Sequence, residues 1–175
     1  IQSLEKALQI DPRMIRAHYI LALLYLDEKL LNSARENLEK YVSKKQDDPK
    51  AWEVLMGTYT RLGEFDRARE SARKLAQFPE LSPLQKLLLS FFYARIGDLK
   101  TSASFLPVSE YPLISKILSI VILNLKGDSK YKEDISSLDS MVGNLDSECN
   151  DFITAIWNSF GEGVVSCWFY GKLAE

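Results

Sequence analysis

Apolar and aromatic residues recur along this chain at a fixed spacing of 34 positions, together with small and turn-forming residues. Self-similarity at such a period indicates repeated supersecondary units, each of which buries its apolar face against the next. The sequence therefore predicts a repeat protein. The matching sets are Leu21, Leu55 and Leu89; Tyr25, Tyr59 and Tyr93; Leu31, Phe65 and Leu99; Leu38, Ala72 and Leu106; Ala34 and Ala68; Pro49 and Pro83; and Gly63 and Gly97.

Within one period the pattern predicts two helices joined by a short turn. Leu21 and Tyr25 are four positions apart, which places both side chains on one face of a helix. Gly63 follows an apolar run at the point where a left-handed residue commonly ends a helix. A second helically spaced run then begins, and its Ala68 and Ala72 are small enough for two helices to cross closely. The pattern in each repeat therefore predicts a first helix, called helix A, then a turn, and then a second helix, called helix B.

Residues that commonly begin helices stand where these helices should start. Asp48-Pro49 and Ser82-Pro83 each put a capping side chain immediately before a proline at the first helical position. Ser82 and Gln85 also fit the capping-box pattern, in which each side chain bonds the backbone amide of the other residue. These signals predict the starts of helix A in the second and third repeats.

The pattern resembles the tetratricopeptide repeat (TPR) family over about residues 1–106. The resemblance implies an all-α fold, a right-handed α-solenoid of antiparallel helix pairs. It implies a partial first unit that ends at Pro12, followed by repeats at about 15–48, 49–82 and 83–106. The first full repeat places His18 at the family's large-aromatic position. The second repeat carries the family motif most completely, as Trp52, Leu55, Met56, Tyr59, Gly63, Phe65 and Ala68.

Residues 107–175 are predicted to form degenerate helical repeats and a C-terminal capping segment. Beyond Pro107, which should end the preceding helix, the spacing breaks, because Gly127 follows Gly97 by 30 positions. Terminal repeats are commonly atypical, since one of their faces has no neighbour to cover it. The predicted helices span 113–125, opened by Pro112, then 131–142 and 146–160, and an apolar tail spans 164–170.

Composition narrows the class of function. Charged residues make up 26% of the 175 positions, and the net charge is −2, with basic and acidic residues interleaved. Nucleic acid is not an expected partner, because such a surface concentrates basic residues. The most apolar stretch, 113–125, is shorter than the roughly 20 residues that span a bilayer, so we expect no direct membrane insertion by this segment. The compartment stays open between cytoplasm and periplasm, with or without a membrane anchor elsewhere in a parent protein.

No arrangement of residues predicts an enzyme, and we expect neither a metal nor a cofactor. The only histidine, His18, occupies a packing position, so no Ser-His-Asp set can be built, and no glycine-rich phosphate loop is present. Cys149 and Cys167 lack the further ligands that a zinc site needs, and we expect them to be small buried side chains, with a disulfide between them as the alternative. The adjacent acids Asp47 and Asp48 are expected to cap the start of a helix and to interact favourably with the helix dipole.

The resemblance also implies a groove on the inner face of the superhelix, lined by set positions of each helix A. Some family members hold a Lys/Asn/Asn/Lys/Arg clamp there for a chaperone's C-terminal carboxylate. Here Tyr19, Leu23, Val54, Leu84 and Leu88 stand at those positions, which argues against that ligand. We expect a protein or peptide partner in an apolar groove with polar steering. The predicted groove residues are Tyr19, Ile20, Leu23, Lys50, Glu53, Arg61, Leu84, Leu88, Phe91, Arg95, Ile114, Leu118 and Val121.

Two accounts of the apolar helices at 84–96 and 113–125 stay open. Both are apolar nearly all round, whereas a surface helix usually shows one polar face. Either the C-terminal tail or the last helix folds back over them, or a partner docks on them. The expected function is a protein-interaction scaffold within a larger assembly or secretion-related protein. The alternative is a structural module that forms homo-oligomers or packs inside a larger multidomain protein, including an enzyme whose substrates it presents.

Overall fold

The described part of the chain is entirely helical. The computed structural model describes residues 1–128 and residue 130, and no strand occurs among them. The chain divides into an N-terminal unit, Ile1–Leu81, and a C-terminal unit that begins at Ser82. The helices are α1 Gln2–Ile10, α2 Ile15–Asp27, α3 Leu31–Lys44, α4 Pro49–Leu62, α5 Phe65–Ala76, α6 Pro83–Arg95, α7 Leu99–Ser104 and α8 Pro112–Leu125.

The predicted helix pairs are present as α2–α3, α4–α5 and α6–α7. The all-α class predicted from the sequence is therefore confirmed for the described residues. The division into domains at 106–107 stays a prediction. The helices predicted at 131–142 and 146–160, the apolar tail at 164–170, and the placement of Cys149 and Cys167 lie outside the described residues.

The helix starts form as the local signals predict. Asp48 accepts hydrogen bonds from two backbone amides in the first turn of α4, and Pro49 is the first residue of that helix. Ser82 and Gln85 form the reciprocal capping box at the start of α6. Side-chain caps satisfy amides that have no partner inside the helix, and a cap typically stabilises by about 1 kcal/mol. Both predicted caps are confirmed.

Glycines end two of the helices in the left-handed region. Gly63 follows α4 with φ 76°, and Gly97 follows α6 with φ 81°. Residues with a β-carbon rarely adopt such φ values, so glycine releases the chain from the helix at little steric cost. The turn between helices A and B is therefore encoded locally, as the sequence predicts.

The core of the N-terminal unit forms where α2 packs on α3, α3 on α4, and α4 on α5. Ala34 and Ala68 are fully buried, because their small side chains let the two helices of a repeat approach closely. Leu38 of α3 and Leu75 of α5 are also fully buried and contribute larger apolar side chains to the same interior. The other buried apolar residues are Ala17, Leu21, Ala22, Tyr41, Val42, Ala51, Leu55, Met56, Tyr59 and Ala72.

Polar contacts repeat with the same period as the apolar ones. The Tyr59 hydroxyl donates to Glu39 Oε1 at 2.7 Å, and the Tyr25 hydroxyl donates to Glu5 Oε1. Both members of the Tyr59–Glu39 pair lie 34 positions after their counterparts. Each bond joins a helix A to the helix that precedes it. The tyrosine that packs into the core thus also holds consecutive helices in register.

In the C-terminal unit α6 packs on α7, and α7 on α8. Ser102 stands where the earlier repeats have Ala34 and Ala68, and it is fully buried. Its hydroxyl donates to the Ser90 carbonyl oxygen at 2.7 Å, so the small polar residue at the helix crossing is hydrogen-bonded. Among the described helices, none has both the length and the apolar character needed to cross a bilayer.

Candidate functional site

Helix α2 exposes an apolar strip on the N-terminal unit, formed by Ile20, Leu23 and Leu24. These side chains are 49%, 40% and 37% exposed, respectively. Their spacing of three and four positions places them on one face of the helix. The opposite face contributes His18 and Ala22 to the core. Ile20 and Leu23 were predicted as groove residues, whereas Leu24 was not, because it falls outside the positions that the family uses.

The charged groove residues predicted on α4 are Lys50, Glu53 and Arg61. Lys50 and Arg61 are exposed, and Glu53 is half-buried. Burial raises the pKa of Tyr19, and the negative charges of Asp48 and Glu53 raise it further. Tyr19 of α2 packs on Tyr41, whose hydroxyl donates to Asp48 at the start of α4. This part of α2 therefore lies close to the start of α4.

A network of tyrosine and aspartate fixes the edge of this face. The rings of Tyr19 and Tyr41 pack with centroids 4.9 Å apart. The Tyr41 hydroxyl donates to Asp48 Oδ2 at 2.8 Å, while Asp48 Oδ1 accepts from backbone amides of α4. Asp48 therefore ties α3 to the start of α4. Burial raises the pKa of Tyr41 to about 12, with the hydrogen bond to Asp48 and its charge adding to the shift.

Stability should fall in alkaline solution as Tyr41 ionises. Its pKa is about 12 in the folded protein against 10.0 for free tyrosine, so the folded state holds the proton more tightly. The stabilisation is complete below about pH 10 and is lost as the pH rises toward 12, by up to about 2 kcal/mol. Urea unfolding of wild type and Tyr41→Phe across this range measures it. The variant should lose less stability, and equal losses would contradict the assignment.

The groove residues predicted on α6 differ in accessibility. Leu84 is 46% exposed, and Arg95 is also exposed. Leu88 and Phe91 are half-buried, so each presents only part of its side chain. Of this set, Leu84 and Arg95 are the residues that a partner reaches most readily.

The three groove residues predicted on α8 are buried. Ile114, Leu118 and Val121 are at most 7% exposed, which places them in the interior instead of on an accessible surface. The sequence could not show which side of α8 is exposed, because apolar residues occur on every side of this helix. The binding face that we consider below therefore omits these residues.

A charged cluster that the sequence analysis did not predict lies at the turn between α4 and α5. Arg35 of α3 pairs with Glu64 at 2.7 Å, and Arg67 pairs with Glu64 at 3.2 Å and with Glu39 at 3.5 Å. Arg35, Glu64 and Arg67, with Phe65 among others, line a shallow pocket of about 440 Å³. Because the charges neutralise one another, we assign the cluster to joining α3 and α5. Arg35 and Glu64 are 29 positions apart, so no local pattern predicts their pairing.

His18 is buried, as expected for a packing position. Its Nδ1 lies 2.8 Å from Asn37 Oδ1, which joins α2 to α3. Within residues 1–128 and 130, no three His, Cys, Asp or Glu side chains come together in a way that could hold a metal ion. Among the groove positions predicted in the N-terminal unit, the accessible ones lie on α2 and α4.

Comparisons with known proteins agree with this architecture. Residues 1–56 match the family model of the tetratricopeptide repeat. A crystal structure of MamA, a tetratricopeptide repeat protein, superposes with a TM-score of 0.69 at 18% sequence identity, covering 79% of this chain and 82% of MamA. A second MamA crystal structure superposes with a TM-score of 0.68 at 18% sequence identity, covering 83% of this chain and 86% of that structure's chain. No curated protein matches the chain in sequence. For the described helices, this likeness supports an α-solenoid of antiparallel helix pairs.

Proposed function

We propose a function from one premise: residues 1–56 of this chain belong to the tetratricopeptide repeat family, and the described helices share that fold. The family and the fold support a protein-interaction scaffold, a class that is generally not enzymatic. We propose more specifically that the chain binds a helix or peptide of a partner protein on the face of α2 and α4. A place in a larger assembly or a secretion-related protein is part of the same proposal.

The observation that carries this proposal is the exposure of the α2 apolar strip. Ile20, Leu23 and Leu24 each leave more than a third of the side chain in water, although α2 already buries its opposite face. Isolated exposed apolar residues are normal, but a contiguous strip is typical of an interaction site. A partner that covers the strip gains the free energy of removing these side chains from water.

The two helices of the proposed face also carry exposed cations, which favour an oriented partner. Arg16 of α2 and Lys50 and Arg61 of α4 are exposed, and none of them forms an ion pair within residues 1–128 and 130. Charges at the rim of an interface mainly steer association and select partners, while apolar anchors supply most of the affinity. We therefore assign the anchor role to the α2 apolar strip and the steering role to these cations.

Replacing Ile20 by aspartate should abolish partner capture without unfolding the protein. Aspartate removes the central apolar anchor of the strip and adds a charge that binding would desolvate, so we expect capture to fall at least about tenfold. The measurement is co-precipitation from native extract with the intact protein, quantified by mass spectrometry as the ratio of each captured protein between variants. Circular dichroism checks that helicity is unchanged.

The matched control is Ile10→Asp, which makes the same substitution at an apolar residue of α1 that is 86% exposed. The proposal requires at least one protein whose capture depends on Ile20 and not on Ile10. If every captured protein responds equally to both variants, or to neither, the binding face is assigned incorrectly.

The alternative function, self-association, is favoured by a second apolar patch. Ile10 and Met14 are exposed, near the junction of α1 and α2. If this patch joins copies of the chain, light scattering should show a dimer or larger species that Ile10→Asp converts to a monomer. A monomer for wild type over the accessible concentration range would count against this alternative. The role of a substrate-presenting segment of an enzyme stays a further proposal.

A further inference from the structure

Helix A ends in the same way in the three helix pairs that the structure describes. In each pair, a backbone amide of the turn donates to the carbonyl oxygen of the repeat's tyrosine, and the residue before that amide has a positive φ. This arrangement is a Schellman motif. The three bonds are Leu30 to Tyr25 at 2.8 Å, Glu64 to Tyr59 at 2.9 Å, and Asp98 to Tyr93 at 2.9 Å. The same turn therefore occurs three times, and its residues can be compared position by position.

The first of these turns carries lysine where the other two carry glycine. Lys29 has φ 60°, whereas Gly63 and Gly97 have φ 76° and 81°. Among the residues that the structure describes, Lys29 is the only one other than glycine with a positive φ. A β-carbon makes the left-handed conformation less favourable, because it comes close to the following carbonyl oxygen. The first turn therefore holds a strained backbone that glycine would relieve.

The residue after Lys29 also differs from its equivalents. Glu64 pairs with Arg35 at 2.7 Å, and Asp98 accepts a hydrogen bond from the Thr101 amide at 3.1 Å at the start of α7. Leu30 precedes α3 at the same position, forms no side-chain cap and is 50% exposed. Two adjacent residues of this turn are thus less favourable for folding than their equivalents in the other two turns.

This turn adjoins the α2 apolar strip. The Glu28 amide donates to the Leu24 carbonyl oxygen at 3.1 Å, and the Leu30 amide bonds the next carbonyl along α2, that of Tyr25. In a Schellman motif the side chain at the position of Leu30 commonly contacts those at the positions of Tyr25 and Leu24. Leu24 and Leu30 are both exposed, so the turn adds apolar surface at the end of the strip. Residues that break a local rule of folding commonly belong to functional sites.

The charges of the turn limit the chemistry of its ligand. Asp27, Glu28 and Lys29 are exposed, and none of them forms an ion pair within residues 1–128 and 130. The next charged residues along the chain, Arg35 and Glu36, lie 4.0 Å apart and offset one another. Only Lys29 occupies a strained position, so its side chain is the one that binding would use. One carboxylate of a partner can pair with Lys29, whereas a run of acidic residues would be repelled by Asp27 and Glu28.

We infer that Lys29 and Leu30 belong to the partner site, where Leu30 extends the α2 apolar strip and the Lys29 ammonium binds a single carboxylate beside an apolar anchor of a partner peptide. The inference rests on the proposed function and adds the chemistry of the ligand. It makes both turn residues specificity-determining positions, because the equivalent turns have glycine and an acidic residue instead.

Installing the residues of the third turn, as Lys29→Gly/Leu30→Asp, should stabilise the protein and weaken binding. Glycine relieves the left-handed backbone, and aspartate can cap α3 as Asp98 caps α7, so the urea midpoint should rise. The binding probe is a short peptide selected on the full chain from a phage-displayed random library. Fluorescence anisotropy should show that this peptide binds the double variant at least about tenfold more weakly than wild type. A purely structural role would not combine weaker binding with higher stability.

The role of the lysine charge is measured with Lys29→Gln, which keeps a long polar side chain on the same left-handed backbone. Selected peptides should contain an apolar residue next to one Asp or Glu. Lys29→Gln should weaken such a peptide roughly threefold, since an exposed ion pair contributes modestly. A peptide with its acid changed to the amide should bind wild type and Lys29→Gln equally, because the charge pair is absent in both cases.

Lys45→Gly is the matched control. Lys45 is also an exposed lysine that follows a helix, but its φ is −127°, so glycine relieves no strain there. This variant should neither raise the urea midpoint nor weaken the peptide.

The outcomes distinguish the inference from the proposed function. Peptides that lose affinity for Ile20→Asp but bind Lys29→Gly/Leu30→Asp as well as wild type overturn the inference and leave the α2 apolar strip in place. A urea midpoint that does not rise in the double variant also overturns the inference, because the turn then holds no strain. A library that yields no peptide sensitive to Ile20→Asp overturns both.

Discussion

Leu38→Ala should lower the free energy of unfolding by about 3 kcal/mol, the larger of the two strongest effects that we expect. Leu38 is fully buried in α3, which packs on both α2 and α4. Truncation removes apolar contacts in this core and leaves a cavity that the surrounding helices close only in part. Urea unfolding followed by circular dichroism measures the change.

Leu24→Ala is the matched control, because it makes the same truncation in the same unit at a side chain that is 37% exposed. Its effect should stay below about 1 kcal/mol, since much of the side chain is in water in both states. Similar losses from the two variants would contradict the burial of Leu38. The comparison also tests whether partner binding to the α2 strip can be weakened, through Leu24, without loss of the fold.

Features encoded over a few residues could be predicted from the sequence. The capping box of Ser82 and Gln85, the cap at Asp48 and the left-handed Gly63 each depend on neighbours within one helical turn. The period of 34 then extended these local signals to the arrangement of helix pairs. A repeat fold is unusually predictable for this reason, because most contacts join elements that are adjacent in sequence.

Accessibility could not be predicted in the same way. Helix α8 is apolar on every side, so its sequence left open whether Leu118 would be covered, and the structure buries it. On α2 the family's groove positions omit Leu24, yet its exposure extends the apolar strip. Exposure depends on which neighbouring helix covers a side chain, and that information is not contained in the helix itself.

Contacts between distant residues were also beyond the sequence pattern. His18 was predicted as a packing residue, and its burial agrees, but its partner Asn37 is 19 positions away and carries no signal of the pairing. Asn37 Nδ2 donates to the Ser33 carbonyl oxygen at 2.9 Å, which turns Oδ1 toward His18. We therefore assign His18 Nδ1 as the donor to Asn37 Oδ1, the shorter of its two contacts, while Nε2 lies 3.4 Å from the Pro12 carbonyl oxygen.

Breaking this pair from either side should lower the free energy of unfolding by about 1–3 kcal/mol, because the remaining group stays buried without its partner. His18→Phe keeps a ring at the position where the second repeat has Trp52 and leaves Asn37 Oδ1 unpaired. Asn37→Leu leaves the His18 Nδ1–H unpaired. Urea unfolding of each variant measures the loss.

The double variant His18→Phe/Asn37→Leu decides whether the lost hydrogen bond or the changed packing causes the losses of stability in the single variants. With both polar groups replaced, neither is left unpaired, so the double variant should lose less than the two single variants together, by about 1–2 kcal/mol. Additive losses would show that packing alone explains both single effects. A coupling of this size would instead show that a polar pair joins helices A and B of the first repeat at the position where the second repeat has Trp52 and Ser71.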